Sequence, residues 1–393
     1  MKKRILLLTF FFPPDLSAGS FRAQALLDAM RLQAGEDVEI DVLTTQPNRY
    51  DSHITQAASV EQVGRIRITR IQLPPHKSGF IDQSRAFLWF AHKSTRLARS
   101  EQYDVVIATS SRLMTAVLGT WIARQQKAKL YLDLRDLFVK NIQELFTPVL
   151  SKPLSWFFSC LERWAVGNAS KVNLVSCGFL DYFSKRYPDR QFSLYTNGVD
   201  KEFIDFPMAP PAVSKSPDML RILYAGNVGD GQGLHLIIPE LARRLEGKAF
   251  IQIVGAGSRL ELLRKEVDAA AVTNVELVTP IPRKDLLGLY RSSDVLFLHL
   301  NSHNSFRRVL PSKLFEYAAT GKPIWAGATG YAAEFINKEV SNSAVFSPCD
   351  TEGALASLES LRLEQVSRPE FIERFSRNRI MRPMASEILK MLD

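Results

Sequence analysis

Residues 4–20 read RILLLTFFFPPDLSAGS. Ile5 to Phe12 is apolar at nearly every position, as a parallel β-strand covered on both faces requires. A basic start before an apolar run also opens a signal peptide. Here Pro13-Pro14-Asp15 follows at once and no small-x-small cleavage site appears, so Arg4–Phe12 reads as a buried strand. Ser20–Arg31 then carries Phe21, Ala25, Leu26, Ala29 and Met30 at helical spacing. Working outward, strand patterns at Val38–Thr44, Ile66–Leu73, Val105–Thr109, Leu130–Leu134 and Val172–Ser176 are interleaved with helical ones at Gln83–Ser100, Leu113–Arg124 and Leu154–Val166. This alternation predicts an α/β fold with a doubly wound parallel sheet.

Residues 200–219, DKEFIDFPMAPPAVSKSPDM, hold four prolines and no periodicity, as an exposed linker or hinge would. The βα pattern restarts at Leu220–Ala225 and runs through strands at Ala249–Val254, Val275–Val278, Val295–Leu300 and Pro323–Ala326. Helices are expected at Leu234–Leu245, Arg259–Ala270, Arg283–Arg291 and Lys313–Ala319. The tail, 368–393, reads as helices. The expected organisation is an N-terminal Rossmann-like domain over 1–199, a linker over 200–219, a second such domain over 220–367, and the terminal helices, with the two domains facing across a cleft.

The 393 residues are 46% hydrophobic and 23% charged, which excludes intrinsic disorder. Cys160, Cys177 and Cys349 are far apart, excluding a disulfide framework or zinc knuckle and fitting a reducing cytoplasm. No stretch approaches the ~18 apolar residues of a spanning helix. The net charge of +9 is uneven: residues 1–200 hold 26 basic and 18 acidic side chains, and residues 201–393 hold 24 and 23. The first half is therefore expected to meet something anionic, nucleic acid and an acidic membrane both qualifying.

Four constellations carry chemistry. The loop through Gly19 to Ser20 opens a helix, and reads equally as an anion site or as a helix N-cap. Tyr224-Ala225-Gly226-Asn227-Val228-Gly229-Asp230-Gly231-Gln232-Gly233 follows a strand, where glycines let backbone approach a ligand, with Gly255-Ala256-Gly257 a smaller copy. The third is Arg307-Arg308-Val309-Leu310-Pro311-Ser312-Lys313-Leu314-Phe315-Glu316-Tyr317. Three cations near a helix start suit a diphosphate, and Glu316 suits the two hydroxyls of a ribose; the alternative is a Lys313–Glu316 pair on a solvated face. Asp133-Leu134-Arg135-Asp136 ends a strand, as a site carboxylate or as an Arg–Asp pair closing a loop. No GxGxxG, GxSxG or histidine metal pair is present, and His299 and His303 run from a strand into a loop.

These residues resemble the retaining GT-B glycosyltransferases of family four across essentially the whole chain. The resemblance rests on the Gly19 loop, Asn197-Gly198-Val199-Asp200, Gly226-Asn227, Gly255-Ala256-Gly257, and Pro311-Ser312-Lys313-Leu314-Phe315-Glu316-Tyr317 leading to Gly321-Lys322-Pro323. It is similar to the branch that includes bacterial L-fucosamine (FucNAc) transferases of O-antigen and capsule assembly. The resemblance implies a UDP-sugar donor held mainly by the second domain, a lipid-linked saccharide acceptor, a C-terminal helix crossing back to the first domain, and no metal or other cofactor. It implies peripheral attachment at the anionic inner face of the cytoplasmic membrane, with no nucleic acid.

Carried onto this sequence, Lys313, Asp136 and Arg135 take catalytic roles. Gly19, Gly226, Asn227, Gln232, Gly255, Arg307, Arg308, Ser312, Leu314 and Glu316 bind the donor. The sequence departs from the family at Arg308, where a glutamate is usual, at Arg135, where histidine is, and at Gln232, where a cation is. The phosphate charge then falls to Lys313, with Arg307 or Arg308. A nucleotide-sugar epimerase and a non-catalytic scaffold are the rival expectations on the same fold.

Overall fold

The computed structural model describes residues 2–48, 57–75, 80–110, 112–140, 148–204 and 219–393. The chain forms two compact units, Met1–Thr196 with Ile380–Asp393, and Asn197–Arg379.

The first unit is built on β1 (Lys3–Thr9), β2 (Val38–Thr45), β3 (Val60–Val63), β4 (Ile66–Ile71), β5 (Val105–Ser110), β6 (Lys129–Leu134), β7 (Lys171–Leu174) and β8 (Phe192–Ser193). Their order is β3-β4-β2-β1-β5-β6-β7-β8, parallel except for the β3–β4 hairpin. Ile5 to Leu8 are completely buried in the central strand. The apolar run outlasts the strand. Phe10 to Phe12 leave the ladder but stay buried, held by the hydroxyls of Thr45, which donates to the Phe10 carbonyl at 2.6 Å, and Thr9, which donates to that of Phe11 at 2.9 Å. β3 is not legible in sequence, because Val60-Glu61-Gln62-Val63 is an exposed edge strand with no apolar face to bury.

The second unit contains β9 (Leu220–Ala225), β10 (Ala249–Val254), β11 (Val275–Val278), β12 (Val295–His299), β13 (Ile324–Gly327) and β14 (Ser343–Phe346). All pair in parallel in the order β11-β10-β9-β12-β13-β14, the doubly wound Rossmann order. Its strand order reverses between β9 and β12, so the crevice beyond their carboxyl ends is where such sheets bind ligands. Short β14 and the helices Tyr331–Glu339 and Thr351–Leu358 escape the sequence reading.

The units divide at 196/197 and 379/380, where the sequence places boundaries at 199/200 and 367/368. The proposed linker falls mostly on 205–218, outside the described residues; Lys201–Ile204 form one helical turn in the second unit. Within the tail, the helix Pro369–Phe375 stays with the second unit because Phe371 and Phe375 pack on Phe315, with centroids 6.0 and 5.6 Å away. Only from Ile380 does the chain join the first unit, where Met381, Met384, Ala385 and Ile388 are fully buried. Glu387 accepts a hydrogen bond from Ser193 Oγ at 2.8 Å there.

Candidate active site

In the second unit, β9 runs into Gly226, whose φ of +143° is open to glycine alone. The space that a side chain would fill there is taken by Lys313: a Cβ on Gly226 would lie 2.5 Å from the Lys313 Nζ. The ammonium sits 3.5 Å from the centre of the buried Tyr224 ring. It makes no hydrogen bond or ion pair with any described residue. Burial pushes its pKa down to about 7, against the opposing pull of Glu316. A half-buried cation with only a ring face for company is short of an anion, since the ring restores a small part of what desolvation removes.

Glu316, one turn along the helix Lys313–Ala319, does not pair with Lys313. Its Oε1 accepts from Arg283 Nη2 at 3.3 Å, and the Tyr290 hydroxyl reaches its Oε2 at 3.5 Å. Arg283 also pairs with Asp200 and, at 3.1 Å, with Glu202; Arg377 closes the other side of Asp200. Burial raises the Glu316 carboxyl, Arg283 opposing it. Neither Arg283 nor Tyr290 is legible as a site residue. The only hint is the i, i+7 spacing that puts both on one helix face.

The glycine turn is braced from below. Gln232 Oε1 accepts from Asn227 Nδ2 at 2.8 Å and from the Gly229 amide at 3.1 Å. The Gln232 carbonyl lies 2.6 Å from His299 Nδ1, and the Cys349 amide donates to His299 Nε2 at 3.0 Å. A carbonyl only accepts and an amide only donates, so His299 is neutral with its proton on Nδ1. Burial, which pushes its pKa down to about 4, agrees. Gly255 packs where a side chain would collide with the Gly226 carbonyl, and the Gly226 amide donates to the Val254 carbonyl at 2.8 Å. Gly255 thus positions the turn.

Arg307 and Arg308 occupy the short turn Asn304–Arg308, Arg307 exposed and Arg308 half-buried. Ser312 is half-buried and its side chain caps no backbone amide. Leu314 turns inward, with a fully buried side chain and an amide donating to the Pro311 carbonyl at 3.2 Å. The helix has seven residues, so its dipole adds little to the charge of the ammonium.

In the first unit, Gly19 lies under Arg135: a Cβ at Gly19 would overlap its Nη1. Gly19 is not in the loop but in the first turn of the helix Ala18–Gln33, which is capped by Ser17, whose hydroxyl accepts from the Ser20 amide at 3.2 Å. Asp136 is exposed at its rim but crowded enough that burial pushes its carboxyl up to about 6, with Arg135 pulling the other way. Asp133 does not pair with Arg135. It takes Arg22 in a forked ion pair (2.8 and 2.9 Å) and Asn173 at 2.7 Å, while Arg22 also donates to the carbonyls of Tyr195 and Thr196. Among the described residues no group of three or more metal-binding side chains occurs.

Residues 22–192 match the family described as glycosyl transferase 4-like domain, and 209–379 match glycosyl transferases group 1. No curated protein is a significant match. Sucrose-phosphate synthase from Thermosynechococcus elongatus superposes with a TM-score of 0.74 at 15% identity, over 99% of both chains. HepE from Anabaena, in complex with UDP and glucose, gives 0.68 at 14%, over 99% of this chain and 100% of that one. WaaG, a glycosyltransferase involved in lipopolysaccharide biosynthesis, gives 0.64 at 12%, over 99% and 97%. With a glycosyltransferase family on each of its two Rossmann-like units, this protein is a glycosyltransferase of the GT-B type.

Proposed function

We propose that the protein is a retaining glycosyltransferase of the L-fucosamine transferase-like branch, moving a sugar from a UDP-sugar to a lipid-linked saccharide in bacterial surface polysaccharide assembly. The observation that carries this reading is the unpartnered Lys313 ammonium at the Gly226 turn, one helical turn from Glu316. A diphosphate supplies the anion Lys313 lacks and a ribose supplies hydroxyls for Glu316; the two sit side by side in a nucleoside diphosphate. In front-face transfer the acceptor oxygen bonds to the anomeric carbon as the bond to the diphosphate breaks. The acceptor proton passes to the departing diphosphate. Charge builds on that leaving group, and in this reading it falls to Lys313, not to a metal ion. A panel of UDP-sugars offered with membrane extract tests the assignment. Release of UDP that requires the lipid acceptor is expected; release or isomerisation without acceptor points to the epimerase, and no UDP binding to the scaffold.

Because the free ammonium titrates near 7, a bound diphosphate must recharge it above that pH. UDP binding is expected to take up close to one proton at about pH 8, and affinity to fall as pH rises from 7 toward 9. Titration calorimetry in buffers of different ionisation enthalpy reads the uptake. An equal affinity at pH 6 and 9 would remove Lys313 from the phosphate.

For attachment at the inner face of the cytoplasmic membrane, the supporting surface is a layer of three helices in the first unit, Phe80–Ala98, Leu113–Gln126 and Pro148–Asn168, the middle one touching both others. In the first of these, the apolar run Phe87-Leu88-Trp89-Phe90-Ala91 splits: Phe87 and Phe90 are core, packed on Phe10, while Leu88 and Trp89 are exposed. Trp121, Trp156 (71% exposed) and Phe157 extend the uncovered aromatics, and Lys93 stacks 4.8 Å above Trp89, with Arg96 and Arg99 exposed beyond. Among the described residues no helix is long and apolar enough to cross a membrane. Aromatics beside cations suit an acidic bilayer interface, each basic residue adding ~1 kcal/mol. Changing Lys93, Arg96 and Arg99 to Glu is expected to lower cosedimentation with phosphatidylserine vesicles at least tenfold. Undiminished binding would move the surface elsewhere.

A further inference from the structure

We propose that Arg283 is a positioning residue for the nucleotide, orienting the Glu316 carboxylate so that its free lone pairs meet the two ribose hydroxyls. This rests on the UDP reading above and goes beyond it, because Arg283 itself need not touch the ligand. A carboxylate has about four acceptor positions on its two oxygens. Arg283 occupies one on Oε1, and Tyr290 approaches one on Oε2 from the same helix, Arg283–Ser292. One position remains on each oxygen, the arrangement a vicinal diol needs.

The arginine is fixed from every side. Its guanidinium carbon lies 4.8 Å from the centre of the buried Phe203 ring, which sets the plane of the fork. Asp200 and Glu202 take its other donors, and Arg377 reaches Asp200 Oδ2 at 3.1 Å, so Asp200 is itself held between two arginines. Arg283 divides its donors among Asp200, Glu202 and Glu316, so it occupies only part of the Glu316 carboxylate and leaves acceptor positions for hydroxyl donors. A lysine cannot reproduce this, since an ammonium has no planar fork to serve three carboxylates at once. The parallel bridge Val199–Ser376 holds Asp200 and Arg377 next to each other in the chain's backbone, which keeps the network in register.

The experiment compares UDP, 2′-deoxy-UDP and inorganic pyrophosphate by titration calorimetry on the full chain. Wild type is expected to prefer UDP over 2′-deoxy-UDP, and Glu316→Gln to lose about tenfold of that preference. Arg283→Met is expected to lose a similar factor while binding pyrophosphate within twofold of wild type. Arg283→Lys should restore only part of the preference, and the double variant should lose no more than either single one. Unchanged pyrophosphate binding reports that the unit is folded and the phosphate end intact. If Arg283→Met keeps the preference while Glu316→Gln abolishes it, the positioning inference is overturned and the ribose reading stands. If Glu316→Gln keeps the preference, the ribose reading itself fails. Equal losses for all three ligands in both Arg283 variants would make Arg283 purely structural and overturn the inference.

Discussion

Lys313→Ala is expected to lower the transfer rate about 10²–10³-fold, the loss seen when one preorganised donor to a developing anion is removed. Affinity for UDP should fall as well, because the diphosphate loses its main cation. The free protein should respond in the opposite direction. Between about pH 7 and the ordinary 10.5, the unfolded chain holds a proton on Lys313 that the folded one releases, so wild-type stability rises with pH across that window. The alanine variant lacks this rise. A thermal melt between pH 7 and 9 should therefore show the variant flatter than wild type, while single-turnover assays show it nearly inactive. A variant that transfers sugar at the wild-type rate would displace Lys313 from the reaction altogether.

The second large effect belongs to the first unit. Arg22 and Asp133 are both 1% exposed, and their forked pair is completed by Asn173 and two backbone carbonyls. Burial alone would raise the Asp133 carboxyl, yet Arg22 holds it below its ordinary value. Arg22→Met strands a buried carboxylate, which costs about 3–5 kcal/mol. For a unit of this size that is a drop of roughly 10 °C in the melting temperature of the first unit. The double change Arg22→Met with Asp133→Leu removes both charges and should recover much of the loss. If the double variant melts no higher than the single one, the cost arises from lost packing and not from the stranded charge. In wild type the pair's contribution is present above the ordinary carboxylate range and disappears as pH falls below it, so acid should reproduce part of the same destabilisation.

Much of the fold was legible because it follows from local pattern. Near-continuous apolar runs such as Ile5–Phe12 and Ile222–Ala225 announce strands covered on both faces, and their alternation with amphipathic helices leaves few topologies besides two doubly wound sheets. Gly226 and Lys313, singled out in the sequence by a place after a strand and at a helix start, lie against one another in the second unit. Edge strands escaped: β3 is exposed and buries no face, and β14, though it alternates, is only four residues long.

What the linear order did not contain is which charge meets which. Lys313 and Glu316 lie three residues apart, a spacing that suggests a pair, yet Glu316 turns to Arg283 and leaves Lys313 alone. Asp133 and Arg135 are two apart and do not pair; Asp133 reaches Arg22, 111 positions away. His299, which looked like a loose strand-end histidine, joins the Gln232 carbonyl to the Cys349 amide across the sheet. The reason is the range of the forces. Hydrophobic burial selects strand and helix residue by residue, so it is written in neighbours along the chain. A buried charge takes whichever opposite charge shares its desolvated pocket, because the cost of stranding it exceeds any preference for a nearby residue, and only the packed tertiary structure decides who shares that pocket.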